Sequence, residues 1–236
     1  MCITAPPAHH PAMHIRAKLG LAFLIATTPF VCEAQSTTSL SLLQKAMTLT
    51  PNVQSGEHLF LQYCAACHQR SGWGNGPREV PTLAGQQDVY LLEQLIKFST
   101  EDRDKPEMHE IVSKPELANP QAMRDVSSYI DGRPHNPKSE RGDGTQLAVG
   151  EQVFRQSCVI CHGRSGEGNR DDLIPAIGGQ HYGYLVVRLH HFKQQHDSQE
   201  RQSLQPALVN LLERLSPDEI KAVADYTSRL PALQGH

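Results

Sequence analysis

Two short stretches carry the residues best placed to do chemistry: YCAACHQRSGWGNG (63–76) and SCVICHGRSGEGNR (157–170). Each contains Cys-x-x-Cys-His, as Cys64, Cys67 and His68 in the first and Cys158, Cys161 and His162 in the second. Three chemistries use this pattern. A zinc finger needs four ligands, with its two Cys pairs usually roughly 15–20 residues apart. Here Cys67 and Cys158 are 91 positions apart. A thioredoxin-like dithiol expects a βαβ context, and no alternating apolar/polar run of strand type flanks either motif. Covalent haem attachment is the third: both sulfurs form thioethers with the porphyrin vinyl groups, and the adjoining His ligates iron. One helical turn sets both sulfurs beneath the porphyrin edges and aims the next residue at the metal. Two motifs in register favour this third chemistry.

The elements that must position them come in two copies. A shift of 94 relates Cys64 to Cys158, Gly72 to Gly166, Pro81 to Pro175, Gly85 to Gly179, Gln86 to Gln180, Tyr90 to Tyr184 and Phe98 to Phe192, and it holds from Gly56 to Phe98 without a gap. Farther on, VSSYI (126–130) meets VADYT (223–227) with a shift of 97. Such self-similarity marks an internal duplication. Each copy predicts a helix into the motif (Gly56 to Cys64; Gly150 to Cys158), a Gly- and Pro-bearing loop, a helix starting near Asp88 or Tyr182, and a closing helix (Met123 to Ile130; Pro217 to Leu230). Ser216 and Glu219 form a capping box ahead of the last, with Pro217 in its first turn. The Gly-, Pro- and charge-rich stretch Asp131–Gln146 separates the copies. The expected layout is a domain over 52–132, a linker over 133–146 and a domain over 147–234, both all-α.

The chain has 236 residues, a formal net charge of −3, 39% hydrophobic and 6% aromatic residues. This mildly acidic balance argues against a nucleic-acid partner. The thin aromatic content suits domains that bury a large apolar cofactor. Arg16 and Lys18 precede the apolar run Leu19–Val31, and Ala34 offers a cleavage point before Gln35. Residues 1–34 therefore read as a signal peptide, beginning at Met1 or Met13, with an uncleaved anchor as the alternative. No segment of the mature chain is long and apolar enough to span a membrane. Cys2 and Cys32 fall in the presequence, so the other four of the six Cys all belong to the motifs and no disulfide framework remains.

The chain resembles the di-haem cytochromes c of the cytochrome c4 family. The likeness runs from Gln54 to Leu230 through CAACH and CVICH, PTLAGQ (81–86) and PAIGGQ (175–180), then Tyr90 and Tyr184. It implies tandem cytochrome c-like domains, each a few helices around one covalently bound haem c held by Cys64 and Cys67 or Cys158 and Cys161. The carbonyls of Pro81 and Pro175 would hold the imidazoles of His68 and His162, which ligate iron. It also implies a periplasmic electron carrier between a donor and an acceptor protein, such as a membrane oxidase or dehydrogenase.

Family members complete each iron with a Met about forty residues past the motif. Met108 stands there in the first copy, while Met123 reads as packing. The second copy has no Met; Gln202 or Gln205 takes the place, with the wording QPALV favouring Gln205. Its iron would be five-coordinate, weakly met by Gln205 or water, or ligated by His190, His191 or His196. The alternative function follows from this gap: a di-haem oxidoreductase, or a subunit of one, with the second haem as an open or His-ligated centre.

Overall fold

The structure is a computed structural model that describes residues 34–194, 199–202 and 204–231. Of the expected signal segment only Ala34 is included; Cys2, Cys32 and His196 lie outside the described residues. Among the described residues the elements are helical. Extended pairing is confined to two isolated bridges, Asn75 with Val80 and Asn169 with Ile174.

The first lobe begins with α1 (Ala34–Met47), which the sequence reading does not anticipate. Ala46 is fully buried with Leu92, Ile96, Phe98, Val112 and Met123, and Leu42 and Leu43 pack on the same cluster. α2 (Val53–Leu59) continues through a π-turn (Phe60–Cys64) into α3 (Ala65–His68), so the motif helix starts earlier and ends later than expected. Asn52 caps it, its side chain accepting from the Ser55 N–H at 3.0 Å. Then follow α4 (Asp88–Ser99), α5 (Pro106–Val112) and α6 (Pro120–Asp131). Asn119 and Pro120 start α6 as cap and first-turn residue.

The second lobe repeats this plan with α7 (Leu147–Val153), a π-turn (Phe154–Cys158), α8 (Val159–His162), α9 (Tyr182–Gln194), α10 (Gln199–Gln202), α11 (Pro206–Arg214) and α12 (Pro217–Ser228). The expected capping box is present, with Ser216 and Glu219 bonding reciprocally.

In each lobe the entering and closing helices cross at a glycine. A Cβ on Gly56 would lie 2.1 Å from the Asp125 carbonyl oxygen, and one on Gly150 would lie 2.1 Å from that of Ala222. The crossings are backed by equivalent ring pairs, Phe60 with Tyr129 at 5.6 Å and Phe154 with Tyr226 at 5.5 Å. Tilted aromatic pairs of this kind contribute about 0.5–1.5 kcal/mol beyond their burial. The chain between α6 and α7 has no helix but is tied down: Asp225 accepts from the N–H groups of Gly142 (3.0 Å) and Gly144 (2.8 Å).

Candidate functional site

Both motifs begin in a widened helical turn. The Ala65 N–H reaches back five residues to the Phe60 carbonyl, and the Val159 N–H reaches the Phe154 carbonyl in the same way. Such π-turns are frequent at functional sites. None of Cys64, Cys67, Cys158 and Cys161 is in a disulfide, so each motif offers two sulfurs one helical turn apart. Burial, and secondarily the neighbouring Cys, pushes the Cys64 and Cys158 thiols up to about 12.

After each motif His the chain reverses and is laced back. Gly74 N–H donates to the His68 carbonyl (3.0 Å), while Leu83 and Ala84 donate to Gly72 (2.8 and 3.0 Å). The second lobe matches this with Gly168 to His162 (2.8 Å), and Ile177 and Gly178 to Gly166 (2.7 and 3.0 Å). This lacing brings the Pro81 carbonyl to 3.3 Å from His68 Nδ1 and the Pro175 carbonyl to 3.0 Å from His162 Nδ1. Each Nδ1 carries the proton it donates, which leaves Nε2 as a free lone pair. Burial lowers both imidazole pKa values, against a smaller opposing effect of the carbonyl bond, and so favours the neutral, ligand-competent ring.

Farther along each copy the lobes differ. Met108 is half-buried on α5 and packs against the Leu92, Ile96 and Met123 cluster; Met123 itself is only 5% exposed, in keeping with a packing role. In the second lobe Gln205 is exposed at the start of α11 and its side chain makes no cap bond; Gln202 is exposed as well. His190 is half-buried on α9. His191 Nε2 lies 3.0 Å from the carboxylate of Glu200.

That carboxylate belongs to a buried network of which the sequence singles out only His191 as a candidate iron ligand. Glu200 pairs with Arg188, with His191 and, from the first lobe, with Arg103 Nε at 3.2 Å. Arg103 also donates to Gln94 (2.9 Å) and to the Tyr184 hydroxyl (3.1 Å). Gln94 and Arg188 are equivalent by the 94 shift. A neutral amide in the first lobe thus stands where the second lobe has a guanidinium, and each meets a partner in the same network, Gln94 with Arg103 and Arg188 with Glu200. Burial disfavours ionisation of Glu200, but the Arg188 hydrogen bond and the charges of Arg188, Arg103 and His191 outweigh it and lower its pKa.

Among the described residues no group of three or more His, Cys, Asp or Glu side chains converges as a metal-ion site, which leaves the zinc reading without a ligand set. The donors present fit a covalently held iron porphyrin instead. They comprise two unpaired sulfurs per lobe and an imidazole held by a carbonyl with Nε2 free.

Comparison with known proteins agrees. The cytochrome c family model matches residues 53–133 and again 147–230. The chain is 26% identical over 181 residues to cytochrome c4 of Azotobacter vinelandii, covering 71% of this chain and 84% of that one. It is 26% identical over 176 residues to a thiosulfate dehydrogenase electron acceptor of Thiomonas intermedia, covering 71% and 78%. The crystal structure of reduced recombinant cytochrome c4 from Pseudomonas stutzeri superposes with a TM-score of 0.67 at 25% identity, covering 77% of this chain and all of that one.

Proposed function

Because the chain belongs to the cytochrome c family, with two family domains in tandem and a cytochrome c4-like build, we propose that it is a periplasmic electron carrier linking a donor and an acceptor redox protein. It carries two covalently bound haem c groups, one per domain. The bound iron supplies the one-electron ferric/ferrous change. Cys64 and Cys67 hold the first group and Cys158 and Cys161 the second. His68 and His162 would ligate iron through Nε2, each fixed in tautomer and orientation by the carbonyl of Pro81 or Pro175. Met108 would supply a thioether to the first iron. The observation that carries this reading is the twofold geometry: the same π-turn, sulfur pair and carbonyl-held imidazole, built twice.

The name of the Thiomonas relative supports a dehydrogenase as the kind of donor. Residues 1–34 would direct export. Among the described residues, no helix is long and apolar enough to cross a membrane.

One observation favours a second reading. Met108 has no thioether counterpart, Gln205 is exposed, and His191 is engaged by Glu200. The second haem would then be an open or differently ligated centre in a di-haem oxidoreductase or a subunit of one. A single experiment tests both readings. Holoprotein isolated from the periplasm should retain its haem through acid-acetone extraction, take up two electrons per chain, and ignore cyanide and carbon monoxide. Extractable haem or uptake of one electron contradicts the carrier reading. Ligand binding confined to the second lobe selects the oxidoreductase instead.

A further inference from the structure

Gln86 and Gln180, equivalent by the 94 shift, reach across the lobe boundary and clamp each other's loops. Gln180 Oε1 accepts from the Thr82 N–H at 2.9 Å, and its Nε2 donates to the Thr82 carbonyl at 2.9 Å. Gln86 does the same to Ala176, accepting from its N–H at 3.0 Å and donating to its carbonyl at 2.8 Å. Gln86, Gln180 and Thr82 are all buried, exposing 9%, 9% and 8% of their surface.

The residue clamped is the one following the proline that holds the imidazole. The Thr82 N–H and the Pro81 C=O are two ends of one peptide group, as are the Ala176 N–H and the Pro175 C=O. Each lobe therefore contains an unbroken chain of hydrogen bonds. One runs from Gln180 Oε1 through the 81–82 peptide to His68 Nδ1. The other runs from Gln86 Oε1 through the 175–176 peptide to His162 Nδ1. Bonds in such chains polarise one another. An acceptor on the N–H draws the peptide's electron density toward its oxygen. That oxygen then pulls harder on the imidazole proton, and a more basic imidazole is a stronger donor to a metal.

We propose that Gln180 and Gln86 are crosswise positioning residues: each sets the reduction potential of the haem in the opposite lobe through the peptide that holds its proximal imidazole. The stronger imidazole donor favours the ferric state, so each clamp lowers the potential of the haem it serves.

The proposal rests on His68 and His162 being the haem ligands and is tested on the holoprotein by redox titration, with haem methyl resonances assigned lobe by lobe. Gln180→Leu should raise the ferrous-to-ferric ratio of the first haem several-fold at fixed applied potential, where tenfold equals ~59 mV for one electron. It should leave the second haem, in its own lobe, less affected. Gln86→Leu should do the reverse. Gln180→Glu keeps an acceptor for the Thr82 N–H, now an anionic one, and should lower the potential of the first haem, an opposite sign that mere loosening of the interface does not produce. Equal shifts of both haems, a larger shift in the substituted lobe, no shift, or the same sign from Leu and Glu overturns the proposal. Fewer than two haems per chain would instead overturn the site assignment itself.

Discussion

Gln69 and Gly163 stand at equivalent places, one residue past His68 and His162, and only one of them suits the backbone there. Gln69 has φ 63° and ψ 159°, while Gly163 has φ 76° and ψ 172°. That region is open to glycine and costs other residues roughly 1–3 kcal/mol. The first lobe keeps a strained residue where the second has relieved it. Gln69→Gly should stabilise the holoprotein by about 1 kcal/mol, read as a Tm rise of about 2–4 °C for a chain of this size. A Tm that stays level or falls would contradict this account of the turn. The two attachment motifs are fully legible in the sequence at this scale, because their chemistry lies in residue type and spacing. The clamping role of Gln86 and Gln180 is not. Both stand out in the repeat, but a partner 98 or 90 residues away in sequence becomes visible only once the lobes are docked.

At the scale of elements, the Arg103–Glu200 pair joins the chain after α4 to α10 and, through Arg188 and His191, to α9. Both members are buried, at 8% and 6% exposure. Removing one partner of such a pair costs about 3–5 kcal/mol because the other charge is left uncompensated. The folded-state pKa of Glu200 is lowered, so its contribution is present above the unfolded carboxylate value of about 4.3 and is lost as pH falls through the folded value. Denaturant titrations across pH should therefore show Glu200→Gln less stable than the parent at neutral pH, the gap closing in acid. Parallel profiles would contradict it. The helices flanking the motifs follow from repeats and caps, but this network does not. Glu200 lies where the shift changes from 94 to 97, and there the alignment offers no fixed counterpart for Arg103. α1 is likewise absent from the sequence reading, since its segment adjoins the presequence and is rich in Ser and Thr. The spacing of Leu42, Leu43 and Ala46 was the available signal, and these residues dock α1 on the first lobe.

The whole molecule is a duplication whose attachment halves agree and whose distal halves do not. Thioether ligation raises haem potential, so the proposed ligation by Met108 would give the first lobe the higher potential, and electrons arriving at either haem would come to rest there. The inequality of the two haems is the central claim, and a redox titration of the purified holoprotein followed by optical absorption tests it most directly. Two one-electron steps are expected, with the weak far-red band of Met–iron ligation belonging to the higher step alone. In Met108→Ala that band should vanish and that step should move to lower potential. Met bands from both haems, or a band that survives Met108→Ala, would contradict the account.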